Sequence, residues 1–244
     1  MSITKNNRVA LITGANKGLG KEIAWQLGRQ GYTVVLAARD EASGRAVADA
    51  MVKEGVDAHA VRLEVTDMDQ LASTVAWLDK TFGRLDVLVN NAGVALEWDA
   101  KGTTVERFRK TLDVNLVAPW AVTQALVPLL AKSSDARVIN HTSVLGSIAT
   151  CDAAWEQMGG YFSPAYSTSK AGLNMLTMIQ SHALADKKIA VAAAHPGWVK
   201  TDLGSEAAPM EVADGAKTVV GLVTIAREKF PHGQFQHLGD KLPY

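Results

Sequence analysis

The chain has 244 residues, with 25 Lys+Arg against 25 Asp+Glu, which excludes nucleic-acid or membrane-surface binding through bulk positive charge. Its one cysteine, Cys151, excludes an internal disulfide and points to a reducing, cytoplasmic setting. A domain of this size buries roughly 70–75% of its unfolded surface, so the core needs no metal or cross-link.

The opening residues carry no long apolar segment, so no signal peptide is predicted. No apolar run is expected to reach the ~18 residues of a membrane span. Val9-Ala10-Leu11-Ile12 reads as a strand and residues 19–30 as a helix, with Thr13-Gly14-Ala15-Asn16-Lys17-Gly18-Leu19-Gly20 between them. The spacing is G-x-x-x-G-x-G rather than G-x-G-x-x-G. Glycines here permit a tight turn and let backbone N–H groups approach a pyrophosphate at the helix N-terminus, where the dipole favours anions. An ordinary βα turn has similar composition. The position after the first strand of a serial βα chain favours a dinucleotide.

The next strand, residues 33–37, ends Leu36-Ala37-Ala38-Arg39. An acid at this strand end would bind a ribose 2′-hydroxyl and repel a 2′-phosphate. Here Ala38 takes that place, Arg39 can fork onto a phosphate, and Lys17 adds a second charge. The pattern predicts NADP(H). Asp40 argues the other way if the strand end is shifted, and two solvated surface cations are the plain alternative.

A helix over 42–53, a strand over 58–63 and a helix over 68–82 follow. Then come a strand over 85–90, a long helix over 105–131, a strand over 137–142 and a helix from about Ser163. A strand over 189–194, a helix over 212–229 and a strand over 234–238 complete the chain. Several strands are apolar throughout, as parallel strands covered on both faces are. The prediction is an α/β Rossmann fold: a doubly wound parallel sheet of about seven strands with helices on both faces. Residues 1–244 read as a single domain, with no repeat or Pro/Gly-rich linker.

Tyr166 and Lys170 lie four apart, one helical turn, on the same face. A free phenol has a pKa of about 10, too high for ready proton exchange at neutral pH, and an adjacent ammonium lowers it. Such a pair has meaning only in company. Its company, in order, is Thr13–Gly20, Asn90-Asn91-Ala92-Gly93, Asn115, Ser143 and Pro196-Gly197-Trp198-Val199-Lys200-Thr201. Together these resemble the short-chain dehydrogenase/reductase family over nearly the whole chain. The Asn-Lys-Gly of the loop and the Ala-Arg-Asp after the second strand resemble its NADPH-dependent carbonyl reductases.

The resemblance implies a catalytic set of Asn115, Ser143, Tyr166 and Lys170. Tyr166 would give or take the substrate proton, and Lys170 would lower its pKa and bond the nicotinamide ribose. Ser143 would hydrogen-bond the substrate oxygen, and Asn115 would hold a water relaying protons to Lys170. Cofactor contacts would come from Gly14, Asn16, Lys17, Gly18, Leu19, Gly20 and Arg39. Asn91, Ala92 and Gly93 would lie by the adenosine ribose. Pro196, Gly197, Val199 and Thr201 would wrap the carboxamide. Glu64 and Val65 fall where the family has Asp-hydrophobic against adenine, and Glu64 departs from that pattern.

His141 and His195 read as structural, and His232 with His237 does not make a metal site. Between Ser143 and Tyr166 lie 22 residues, more than compact members carry. The extra stretch at about 151–162 includes Trp155, Met158, Tyr161 and Phe162, with Gly159-Gly160 as a hinge, and is expected to form a wall or lid over the substrate. Trp98, Trp198 and residues 203–213 are expected to face the same mouth, favouring a bulky or apolar ketone or aldehyde. Two other readings stay open. One is a carrier-linked 3-oxoacyl reductase or a hydroxysteroid or polyol dehydrogenase, for which Arg107, Arg109 and Lys110 are a thin basic patch. The other is a non-catalytic NADP-binding sensor. Oligomer and monomer are both open.

Overall fold

The computed structural model describes residues 3–97, 102–157 and 163–244. Strands and helices alternate as β1 (Val9–Thr13), α1 (Gly18–Arg29), β2 (Thr33–Ala38), α2 (Glu41–Lys53), β3 (Ala58–Arg62), α3 (Met68–Phe82) and β4 (Val87–Asn90). Helix α4 (Val105–Leu112) runs through a π-helical turn, Asp113–Val117, into α5 (Ala118–Leu130). Then come β5 (Ala136–His141), a 3₁₀ turn Val144–Gly146, α6 (Cys151–Gln157), α7 (Pro164–Ala183) and β6 (Ile189–Ala194). Short α8 (Val212–Gly215) and α9 (Lys217–Thr224) lead to a hairpin of β7 (Phe235–His237) and β8 (Asp240–Leu242).

The strands form one sheet ordered β3-β2-β1-β4-β5-β6-β7-β8, parallel except for the antiparallel β7–β8 pair. The period of two sorts the strand side chains onto two apolar layers. Ile12, Leu36, Val89 and Ile139 pack against Ile23 and Leu27 of α1 and Val219 and Val223 of α9. Leu11, Val35, Leu88 and Val138 pack against Leu78 of α3 and Val122 and Leu126 of α5. The strand order reverses between β1 and β4, which opens a crevice at their carboxyl ends. The predicted doubly wound sheet is therefore present, with an eighth strand. Three residues with exposed Asp240 and Lys241 carry no apolar alternation to predict it from.

Two expectations need amendment. The helical stretch Val105–Leu130 is apolar enough over 18 residues to match a membrane span by length and composition. Here it lies on the sheet, with Ala118, Val122, Leu126, Leu129 and Leu130 buried. The helix expected over 212–229 is broken, because Gly215 packs tightly on Val199 and the chain turns extended at Ile225. The first part of the insertion, Cys151–Gln157, is helical. Its remainder, with Met158, Gly159-Gly160, Tyr161 and Phe162, lies outside the described residues, as does Trp98.

Candidate active site

The glycine turn is built for close approach. Gly14 and Gly18 have φ of +65° and +52°, and a Cβ on Gly20 would stand 2.5 Å from the Gly14 carbonyl oxygen. Asn91 braces the turn from β4: its Nδ2 donates to Thr13 O at 2.8 Å, and its own N–H and that of Ala92 donate to Thr13 Oγ1 at 3.0 Å each. Helices α2, α3 and α4 are capped by Asp40, Asp67 and Thr104, whereas α1 starts with neither a side-chain cap nor an acid in its first turn. This helix end fits a pyrophosphate, which would take the N–H groups that a cap otherwise takes. Asp40, the residue arguing against NADP(H), is occupied as the α2 cap, accepting from Ala42 N at 3.1 Å.

A cleft of about 1330 Å³ runs from this turn to Tyr166 and Lys170. Gly14, Asn16, Lys17, Gly18, Leu19, Gly20, Arg39, Glu64, Val65, Asn91, Ala92, Gly93, Tyr166, Lys170, Pro196 and Thr201 all line it. Gly197 and Val199 are not among its lining residues. Gly197 turns the loop with φ +90°, and Val199 is buried, bridged to Met210. Each candidate phosphate-binding cation faces a carboxylate. Lys17 Nζ lies 2.5 Å from Asp202, and Arg39 Nη1 lies 3.8 Å from Glu64.

Helix α7 presents Tyr166 and Lys170 to the far end of the cleft, both buried. Ser143, following β5, hydrogen-bonds the Tyr166 phenol. Lys170 Nζ lies 5.6 Å from the Tyr166 ring centroid and donates to His141 O at 2.8 Å. Burial pushes the phenol up to about 12, the Glu97 carboxylate adds to the rise, and the Ser143 hydrogen bond opposes it. Burial also lowers the Lys170 ammonium to about 8. Burial sets the direction of the Tyr166 shift, and Lys170, turned to a backbone carbonyl, is not among its causes in this arrangement.

Asn115 sits fully buried in the π-turn. Its Nδ2 donates to Val94 O at 2.8 Å and Ser169 Oγ at 3.0 Å, and its Oδ1 accepts from Val94 N at 2.8 Å. Its side chain therefore clamps the segment after β4 to α7. His141 Nδ1 donates to Asn91 Oδ1 at 2.9 Å, since Asn91 already uses its amide nitrogen on Thr13. Burial lowers both His141 and His195 to about 3, so both are neutral, in keeping with a structural role. Among the described residues no three His, Cys, Asp or Glu side chains gather as metal ligands do.

Two site residues escaped the sequence reading. Asp202 approaches Lys17 across 185 positions of chain, which no local pattern encodes. Glu97 is 1% exposed and accepts from Tyr166 N at 2.7 Å. Its one sequence signal is a lone acid in the apolar run Val94-Ala95-Leu96-Glu97-Trp98.

A family model described as short chain dehydrogenase matches residues 8–212. Carbonyl reductase (NADPH) 1 of Sus scrofa is 31% identical over 96% of this chain and 93% of its own length. The NADPH-bound carbonyl reductase from chicken fatty liver superposes with a TM-score of 0.87 at 28% identity, covering 99% of this chain and all of that one. Salutaridine reductase from Papaver somniferum superposes with a TM-score of 0.81 at 27% identity, covering 93% and 99%.

Proposed function

Because this chain belongs to the short chain dehydrogenase family, we propose that it reduces a ketone or aldehyde to an alcohol, with Tyr166 as proton donor. It is an NADP(H)-dependent oxidoreductase, as its carbonyl reductase relatives and NADPH-bound structural neighbour indicate. The observation that carries the catalytic reading is the joint placement of Ser143, Tyr166 and Lys170. Tyr166 and Lys170 line one end of the cleft whose other end is the glycine turn, and Ser143 hydrogen-bonds the Tyr166 phenol.

The dinucleotide, when bound, supplies the hydride. Gly14–Gly20 and the α1 N-terminus would hold its pyrophosphate, Lys17 and Arg39 its 2′-phosphate, and Lys170 its nicotinamide ribose. Tyr166 then donates its phenolic proton to the carbonyl oxygen while Ser143 hydrogen-bonds that oxygen and stabilises its developing charge. A phenol held up to about 12 remains loaded with its proton at neutral pH, which suits the reductive direction. Lys170, near 8, can pass a proton back toward the phenol from the neighbourhood of the π-turn at Asn115, where the backbone leaves the regular helical pattern.

The substrate we assign is bulky and apolar. Helix α6 packs on the 3₁₀ turn directly after Ser143, with Trp155 half-buried and Ile148 83% exposed just before it. Leu96 and Leu203 line the same cleft as Tyr166. An apolar carbonyl compound gains by covering such surface. The lone thiol of Cys151 accords with a cytoplasmic setting.

The test is NADPH oxidation with an aromatic aldehyde by the wild type and Tyr166→Phe. The variant should lose roughly 10²–10⁴ in turnover while keeping NADPH affinity. Lys170→Met should lose both. Near-normal turnover in Tyr166→Phe means that the proton comes from elsewhere.

A further inference from the structure

Helix α7 opens at Pro164, which lacks an N–H, and the Ser163 side chain does not cap it. The donor of its third residue, Tyr166, is satisfied from outside the helix by Glu97 Oε1 at 2.7 Å. Glu97 is 1% exposed, and a carboxylate is almost never buried so completely without a specific partner. One partner is the positive end of the helix that carries Tyr166 and Lys170. Glu97 also ends the segment whose Asn91 and Ala92 grip Thr13 and whose Val94 is clamped by Asn115. One carboxylate thus joins the cofactor-side segment to the first turn of α7.

Other titratable groups share the cleft with Tyr166: Lys170 on α7, His141 on β5, Lys110 on α4 and Asp113 in the π-turn, while His195 acts on His141. Among the described residues, the charge that acts on the phenol is that of Glu97.

We propose that Glu97 is a positioning residue of the reaction: its carboxylate fixes Tyr166 at the helix start, and its charge holds the phenolic proton in place for delivery to a carbonyl oxygen. The proposal rests on Tyr166 being the proton donor. Glu97→Gln preserves shape and an acceptor for Tyr166 N–H while removing the charge. A purely structural carboxylate would affect stability alone, whereas a charge acting on the phenol moves its titration.

The experiment compares wild type, Glu97→Gln, Glu97→Asp and Tyr166→Phe. The pH profile of alcohol oxidation with saturating NADP⁺ reports the phenolate form, and ultraviolet tyrosinate absorbance, wild type minus Tyr166→Phe, reports Tyr166 without turnover. In Glu97→Gln the oxidation profile should move to lower pH by roughly 0.5–1 pH unit, with NADPH affinity retained. Glu97→Asp, which keeps the charge, should follow the wild type. An unmoved profile in Glu97→Gln overturns the proposal. If that variant does not fold, the wild-type difference titration decides. A Tyr166 phenol titrating at or below about 10, the ordinary tyrosine value, overturns it. Normal turnover in Tyr166→Phe is a separate outcome, which removes the donor reading and the role of Glu97 with it.

Discussion

Gly146 lies flush against the backbone of Lys170: a Cβ there would collide with the Lys170 carbonyl carbon and stand 2.5 Å from Ala171 N. Asn174 Nδ2 donates to Gly146 O at 3.0 Å, and Thr142 Oγ1 donates to Lys170 O at 3.2 Å, so strand end, turn and helix interlock. This contact sets Ser143 beside Tyr166. Gly146→Ala should therefore cost about 1–3 kcal/mol by overpacking, read as a lower urea midpoint. Because displacement of about 1 Å at a catalytic group can cost roughly 10²-fold, turnover should fall more than NADPH affinity. Wild-type turnover in a folded Gly146→Ala protein would refute this account.

The cofactor preference follows from comparing magnitudes. Lys17–Asp202 and Arg39–Glu64 are exposed pairs, and such pairs contribute about 0–1 kcal/mol. A charge-assisted bond to a phosphate contributes about 1.5–3 kcal/mol, so a 2′-phosphate wins both cations from their carboxylates. Arg39→Ala should weaken NADPH binding by roughly 10–100-fold and leave NADH nearly unchanged. Asp202→Asn should strengthen NADPH binding by at most about fivefold. Fluorescence titration with both cofactors checks this, and equal affinity of the wild type for NADPH and NADH would contradict it.

Trp155 tests whether α6 walls the substrate site. Burying an apolar side chain against a substrate is worth roughly 1.5–3 kcal/mol. Trp155→Ala should thus lower kcat/KM for bulky ketones by about tenfold or more while small aldehydes are scarcely affected. A uniform effect across a substrate size series would assign α6 to the outer surface alone.

His141, buried, and His195, half-buried, make the fold acid-sensitive. His141 and His195 titrate near 3 when folded, against about 6.5 when unfolded, so below 6.5 the unfolded chain binds more protons. Their contribution is complete above about pH 6.5 and is lost progressively as pH falls toward 3. At pH 5 the loss is about 2 kcal/mol per histidine. Urea midpoints at pH 8 and pH 5 measure it, and His195→Gln should remove about half of the difference. Equal midpoints in the wild type would show that these rings are protonated without unfolding.

Much of this molecule is written locally. The βα alternation, the glycine turn and the pairing of Tyr166 with Lys170 depend on chain period and short spacings, which neighbouring residues encode. The basic strand end at Arg39 is equally local, and so is the capping role of Asp40, since a cap acts within three residues. Strand β8 was not legible because its three residues carry no apolar alternation, and the break after Gly215 because Gly215 packs on Val199 from another segment.

The sequence by itself determined the fold class and named the side chains proposed to react. Tertiary structure alone decided their electrostatic state. Whether a phenol is driven up to about 12 or drawn down depends on how much water reaches it and which charges share its cavity. Those conditions arise where Glu97, Ser143 and Tyr166 converge from separate segments. The Lys17–Asp202 contact is of the same kind, because a charge acts through space and dielectric rather than along the chain.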